Sequence, residues 1–258
     1  MGYKQLDLEG KVAVVVGGSS GIGKVIALGL AKGGADVVSS ARRVELVNAL
    51  AVEIEALGRR SLRVTCDVAD RGSLEKLLKA CVDAFGKVDI LVNAAGITKR
   101  APTLNYDEGD WNRILDTNLT GSLRSCQVFG RHMIERRYGR IINIASMGSF
   151  LGLYEVAAYS ASKSGLASLT KSLAVEWAKY GICVNAIAPG YFRTPLSEKL
   201  LVGTGRGQEV IMRTPMNRFG ELEELVGAAI FLASDAASFV TGTVLPVDGG
   251  VLASGVNQ

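Results

Sequence analysis

Short β-branched runs recur along the chain, separated by longer stretches whose apolar residues have helical spacing. The runs are VAVVV (12–16), DVVSS (36–40), LRVTC (62–66), VDILV (88–92), RIINIA (140–145), ICVNAIA (182–188) and TVLPV (243–247). The helical stretches are 24–33, 44–57, 73–85, 107–137, 157–180 and 221–234. Strands that are apolar on both faces belong to a covered sheet, and strands joined through helices run parallel. The pattern therefore predicts an α/β fold, a doubly wound parallel sheet in a single domain over 1–258. At 48% hydrophobic and 21% charged residues, the chain has the composition to bury a large core.

In such sheets ligands bind beyond the carboxyl ends of the strands, so the residues after each run are the informative ones. The first run is followed by Gly17, Gly18, Ser19, Ser20, Gly21, Ile22 and Gly23, and then by a helical stretch. Glycines there let backbone N–H groups approach a pyrophosphate at a helix N-terminus. A tight turn would use the same glycines, but placement between strand and helix favours a Rossmann-like dinucleotide loop. A ribose-binding acid is expected ~20 residues on. The second run ends instead in Ala41, Arg42 and Arg43, while Asp36 stands at its start. A small residue followed by Arg42 leaves room for a 2′-phosphate and supplies a planar donor, which favours NADP over NAD. An arginine pair solvated at a helix start is the alternative.

The chain has one histidine, His132, and four cysteines, Cys66, Cys81, Cys126 and Cys183, none forming a C-x-x-C pair. A structural zinc site is not expected, and buried free thiols are. His132, among arginines near a helix end, reads as solvated. The 29 basic and 25 acidic residues are dispersed, which argues against a nucleic-acid partner. No apolar run reaches the ~18 residues of a membrane span, and the first residues do not resemble a signal peptide, so a cytoplasmic location is expected.

Chemistry then falls to other groups. In AAYSASKSGL (157–166), Tyr159 and Lys163 are four residues apart and share a helix face. A neighbouring ammonium lowers a phenol pKa from ~10, which would let Tyr159 exchange a proton with an alcohol or carbonyl. Asn118 falls within an apolar stripe of Trp111, Ile114, Leu115 and Leu119. An inward asparagine either ties down its helix or holds a ligand or water.

Together these motifs resemble the short-chain dehydrogenase/reductase family over about residues 8 to 250. The resemblance maps the family's glycine motif onto Val16–Gly23 and its adenine-contacting aspartate onto Asp67, with Val68 beside it. It maps the N-N-A-G segment onto Asn93, Ala94, Ala95 and Gly96, and a further cofactor-binding segment onto Pro189, Gly190 and Thr194. The implied catalytic set is Asn118, Ser146, Tyr159 and Lys163, with Tyr159 and Lys163 also meeting the cofactor. By resemblance Ser146 donates to the substrate oxygen, Lys163 holds the nicotinamide ribose and Asn118 supports a water relay. Val16 and Ala94 depart from the family's threonine and asparagine; if those two polar groups pair in relatives, losing both together is nearly neutral.

The glycine- and charge-rich segment 191–212 resembles a substrate lid, with Met147, Ser149, Tyr154 and Tyr191 as candidate walls. Lys99 and Arg100 either meet an anionic substrate or are a solvated pair. Phrases such as NAAGITKR and APGYFRT resemble the gluconate 5-dehydrogenase branch, implying oxidation of a sugar-acid hydroxyl. A 3-oxoacyl-[acyl-carrier-protein] reductase is the alternative and requires basic surface near the pocket; a non-catalytic NADP sensor is a third reading. The resemblance also implies a homotetramer built through the long helices.

Overall fold

Six of the seven β-branched runs form strands in the computed structural model, which describes residues 3–193 and 203–254. They are β1 (Val12–Val16), β2 (Asp36–Ser40), β3 (Ile90–Asn93), β4 (Gly139–Ile144), β5 (Ile182–Pro189) and β6 (Val244–Val247). All pairings are parallel, in the order β2-β1-β3-β4-β5-β6. The helices that connect and cover them are α1 (Gly21–Lys32), α2 (Val44–Ala56), α3 (Arg71–Phe85), α4 (Glu108–Leu115), α5 (Gly121–Arg136) and α6 (Ala157–Trp177). Two shorter helices follow, α7 (Gly205–Arg213) and α8 (Val226–Ala233).

Alternation along β1 divides the core. Ala13 and Val15 pack with Ile26, Leu30 and Leu232 on one face, whereas Val14 and Val16 pack with Leu77, Phe129 and Leu173 on the other. Both faces are dry, which is why the strand reads as an unbroken apolar run. The chain leaves β1 toward β2 on one side and enters β3 on the other, so a crevice opens at the carboxyl ends of β1 and β3.

Three expectations need correction or refinement. The run LRVTC (62–66) is not a strand. It lies beside β2, but its bonds there are sparse: Val37 N–H donates to the Arg60 carbonyl and Cys66 N–H to the Ala41 carbonyl, each at 3.1 Å. The hydroxyls of Ser61 and Ser40 satisfy the Val37 and Val64 carbonyls, at 2.7 and 2.6 Å, in place of ladder bonds. The stretch 107–137 is helical, as expected, from 108 to 136, but it is not a uniform α-helix. Between α4 and α5 the chain widens into a π turn, Asp116–Thr120, where the Gly121 N–H reaches back five residues to the Asp116 carbonyl. Asn118 is its fully buried centre. His132 is also not simply solvated, since its Nε2 accepts the Val88 N–H at 3.1 Å beneath the start of β3.

All four cysteines are buried and free. No helix among the described residues is long and apolar enough to cross a membrane.

Candidate active site

The crevice begins with the loop after β1. Gly17 has φ +82°, and a Cβ there would stand 2.3 Å from the Ala95 nitrogen, so only glycine lets the β1 and β3 loops touch. A Cβ on Gly18 would meet the Ser39 hydroxyl at 2.2 Å. That hydroxyl is buried without a partner. Ser20 precedes α1 but makes no side-chain cap, so the first N–H groups of the helix face the crevice without one. Arg43 donates from Nη2 to the Ser20 hydroxyl at 2.9 Å. A glycine cradle, open helix donors and a guanidinium on one loop fit the phosphates of a dinucleotide. Arg42, the arginine singled out in the sequence, and Arg43 are both exposed, and it is Arg43 that reaches the loop. Only side-chain direction separates the two, and sequence does not carry it.

Other candidate cofactor positions border the same crevice. The Asp67 carboxylate accepts the Ala69 N–H at 3.0 Å, and Val68 is buried against Gly121 of α5. Ala94 N–H donates to the Val16 carbonyl at 2.8 Å, tying the end of β3 to the end of β1. Asn93 donates to Asn143 Oδ1 at 2.9 Å, but its own Oδ1 is buried without a partner. That atom lies on the residue paired with Val16, so an unmet acceptor borders this departure. Pro189 ends β5, and Gly190 lies where a Cβ would be 2.6 Å from the Asp248 backbone. Thr194 lies outside the described residues, as does part of the segment 191–212.

The four candidate catalytic residues come from three places. Ser146 follows β4, Asn118 centres the π turn, and Tyr159 and Lys163 lie on the first turns of α6. Asn118 accepts the Ile97 N–H at 2.8 Å and donates to the Ile97 carbonyl at 2.9 Å and to Ser162 at 3.0 Å. It thereby clamps the loop after β3 to α6, while its own carbonyl accepts from Ser122 at 2.8 Å. A Cβ on Gly96 would lie 3.5 Å from Asn118 Oδ1 and 3.6 Å from Lys163 Nζ, so these three groups converge.

Lys163 is buried, its Nζ donates to the Ile144 carbonyl at 2.6 Å, and that nitrogen lies 5.8 Å from the centre of the Tyr159 ring. Burial alone pulls its pKa down to about 8. The expected lowering of the Tyr159 pKa by this ammonium is not what the structure gives. Burial raises the phenol, and a hydrogen bond with Ser146 opposes that shift. Lys163 is aimed at the end of β4 instead of at the ring edge, and desolvation wins.

A cleft of about 920 Å³ has Met147, the residue after Ser146, in its wall. Met147, Tyr154 and Tyr191 line it as expected, but Ser149 does not; its hydroxyl donates to the Lys163 carbonyl at 2.7 Å. Lys99 is not free for an anion, because Asp110 pairs with it. Arg100 lines the cleft but is paired with Glu155 at 2.6 Å. The sequence reading missed Arg206 and Arg213 on α7, which also line it. The spacing of Arg206, Val210 and Arg213 as i, i+4 and i+7 was the available signal.

Comparison with known proteins places this arrangement. The family model described as enoyl-(acyl carrier protein) reductase, adh_short_C2, matches residues 16–252. Gluconate 5-dehydrogenase from Gluconobacter oxydans is 40% identical over 247 residues, 96% of each chain. The 2-dehydro-3-deoxy-D-gluconate 5-dehydrogenase of Escherichia coli is 43% identical over 247 residues, 95% of this chain and 97% of that one. The crystal structure of a gluconate 5-dehydrogenase from Burkholderia cenocepacia, in complex with NADP and tartrate, has a TM-score of 0.93 at 39% identity. That match covers 97% of this chain and 98% of the other. The chain belongs to the short-chain dehydrogenase/reductase family and is an oxidoreductase acting on a CH–OH group.

Proposed function

We propose that this oxidoreductase uses NADP to interconvert a hydroxyl and a ketone on a sugar acid such as gluconate. The observation that carries the reading is the convergence of Tyr159, Ser146 and the buried Lys163 beside a glycine cradle that an arginine overhangs. The names of the relatives support the substrate class, and NADP in the Burkholderia structure supports the cofactor. A dinucleotide held by the glycine cradle would supply or accept the hydride.

The chain's own residues handle the oxygen. Ser146 donates a hydrogen bond to it as its charge changes. Tyr159 carries the proton, and burial keeps its phenol protonated, ready to give that proton to a carbonyl oxygen in reduction. Lys163, with a pKa of about 8, exchanges protons near neutral pH and restores the phenol's proton state. Asn118 fixes the Ile97 loop against α6 and so holds the floor beneath both groups. Gly17, Gly18, Ser19, Ser20, Gly21, Ile22 and Gly23 hold the pyrophosphate, and Arg43, with Arg42 beside it, holds the 2′-phosphate. Asp67 and Val68 flank the adenine, while Asn93, Ala94, Gly96, Pro189 and Gly190 border the nicotinamide end.

The acyl-carrier alternative needs an open basic surface at the cleft. Glu155, Glu209 and Asp110 neutralise Arg100, Arg213 and Lys99, which favours a small acid over an acidic carrier protein. The test is nicotinamide absorbance with D-gluconate and either NADP⁺ or NAD⁺. Turnover preferring NADP⁺ is expected, with Tyr159→Phe slower by ~10²–10⁴-fold. Activity on a 3-oxoacyl substrate with none on sugar acids would overturn the reading.

A further inference from the structure

Three arginines line the cleft, and they are not equivalent. Arg100 is held by Glu155 at 2.6 Å and Arg213 by Glu209 at 2.8 Å. Arg206 has no acidic partner among the described residues. It opens α7 one turn before Glu209 and Val210 and two turns before Arg213, so all four share one helix face. That face is fixed toward the cleft, because Val210 is buried with Phe219 against Tyr191. The Thr204 hydroxyl accepts the Gly207 N–H at 3.1 Å and holds the first turn in register. Tyr191 reports where the Arg206 charge acts: burial raises its phenol, and Arg206 is the largest influence opposing that rise.

An entering carboxylate would have to displace Glu155 or Glu209 to pair with either of the other arginines. At Arg206 it meets no carboxylate of the described residues and gains a planar fork of donors. Resting on the sugar-acid reading, we propose that Arg206 is the specificity-determining anchor of the cleft, binding the carboxylate of an aldonic acid whose far hydroxyl meets Tyr159 and Ser146. Selection between sugar acids and neutral polyols then lies on α7, and the reacting groups on α6 and after β4 take no part in it.

The test measures KM and kcat for D-gluconate with saturating NADP⁺ in the wild type, Arg206→Gln and Arg206→Lys. A lost charge-assisted bond predicts a KM raised ~10- to 100-fold in Arg206→Gln, kcat within a few-fold, and partial recovery in Arg206→Lys. An unchanged KM overturns the proposal. So does an equal loss in kcat with a lowered melting temperature, which would make Arg206 a prop for α7. Calorimetric titration of gluconate into the same three proteins separates this proposal from the reading beneath it. Binding that Arg206→Gln abolishes, without turnover, keeps the anchor and discards the oxidation of gluconate. No binding to the wild type discards the anchor.

Discussion

Replacing Lys163 with methionine is expected to stabilise the protein measured without added nucleotide, and by an amount that depends on pH. The ammonium is 4% exposed, with one carbonyl partner, the Ile144 oxygen at 2.6 Å. Burial takes its pKa from 10.5 to about 8. That interval corresponds to ~3 kcal/mol between the protonated and neutral forms. The sign follows from proton counting. Between the two pKa values the unfolded chain holds a proton that the folded chain has released, so wild-type stability rises with pH across this window. Above about 10.5 the folded state carries no penalty; below about 8 it carries the whole of it. Methionine removes the titration. The lost bond to the Ile144 carbonyl, ~1 kcal/mol, offsets part of the gain but does not vary with pH. Urea unfolding of both proteins from about pH 7 to about pH 10 should show the advantage of Lys163→Met shrinking by ~2–3 kcal/mol as pH rises. A difference that stays flat would refute the reasoning, because the lysine would then be hydrated in the folded chain.

Two further outcomes are expected. His132 accepts the Val88 N–H and has a pKa lowered by burial and by Arg136, so its contribution is complete above the unfolded value of ~6.5 and fades as pH falls below it. Acid unfolding should show His132→Gln losing less stability than wild type below about pH 6, by on the order of 1 kcal/mol; parallel curves would mean the amide bond survives protonation. Arg43→Ala should weaken NADP⁺ about tenfold or more in fluorescence titrations and leave NAD⁺ unaffected. Equal weakening of both would mean that Arg43 supports the loop through Ser20 and does not read the 2′-phosphate.

Much of the architecture could be read from residue order because the strands that build the sheet are apolar on both faces, and β1 with its glycine loop has few other solutions. LRVTC carried the same β-branched signature, yet it forms no ladder because Ser40 and Ser61 take the carbonyl bonds. Nothing in residues 62–66 reports what hydroxyls elsewhere will do. Tyr159 and Lys163 could be paired from their spacing on one helix face, whereas Ser146 and the role of Asn118 were legible only through the family resemblance. The protonation of Tyr159 could not be read, since it depends on which way Lys163 points and how deeply both are buried. The same holds for the arginines. Lys99 and Arg100 looked alike in sequence until Asp110 and Glu155, from other segments, paired with them.

The π turn at Asp116–Thr120 also acts as a rotational phase break. Helical residues advance about 100° each, so one extra residue in the turn sets the angular offset between α4 and α5 independently of either helix. The α4 face bearing Trp111 and Ile114 and the α5 face bearing Cys126, Phe129 and Met133 can each meet its own neighbours without sharing a stripe. Deleting a single residue between 116 and 120 would leave both helices intact as helices. It would turn one against the other by about a quarter of a revolution, and the clamp on the Ile97 loop would face the wrong way.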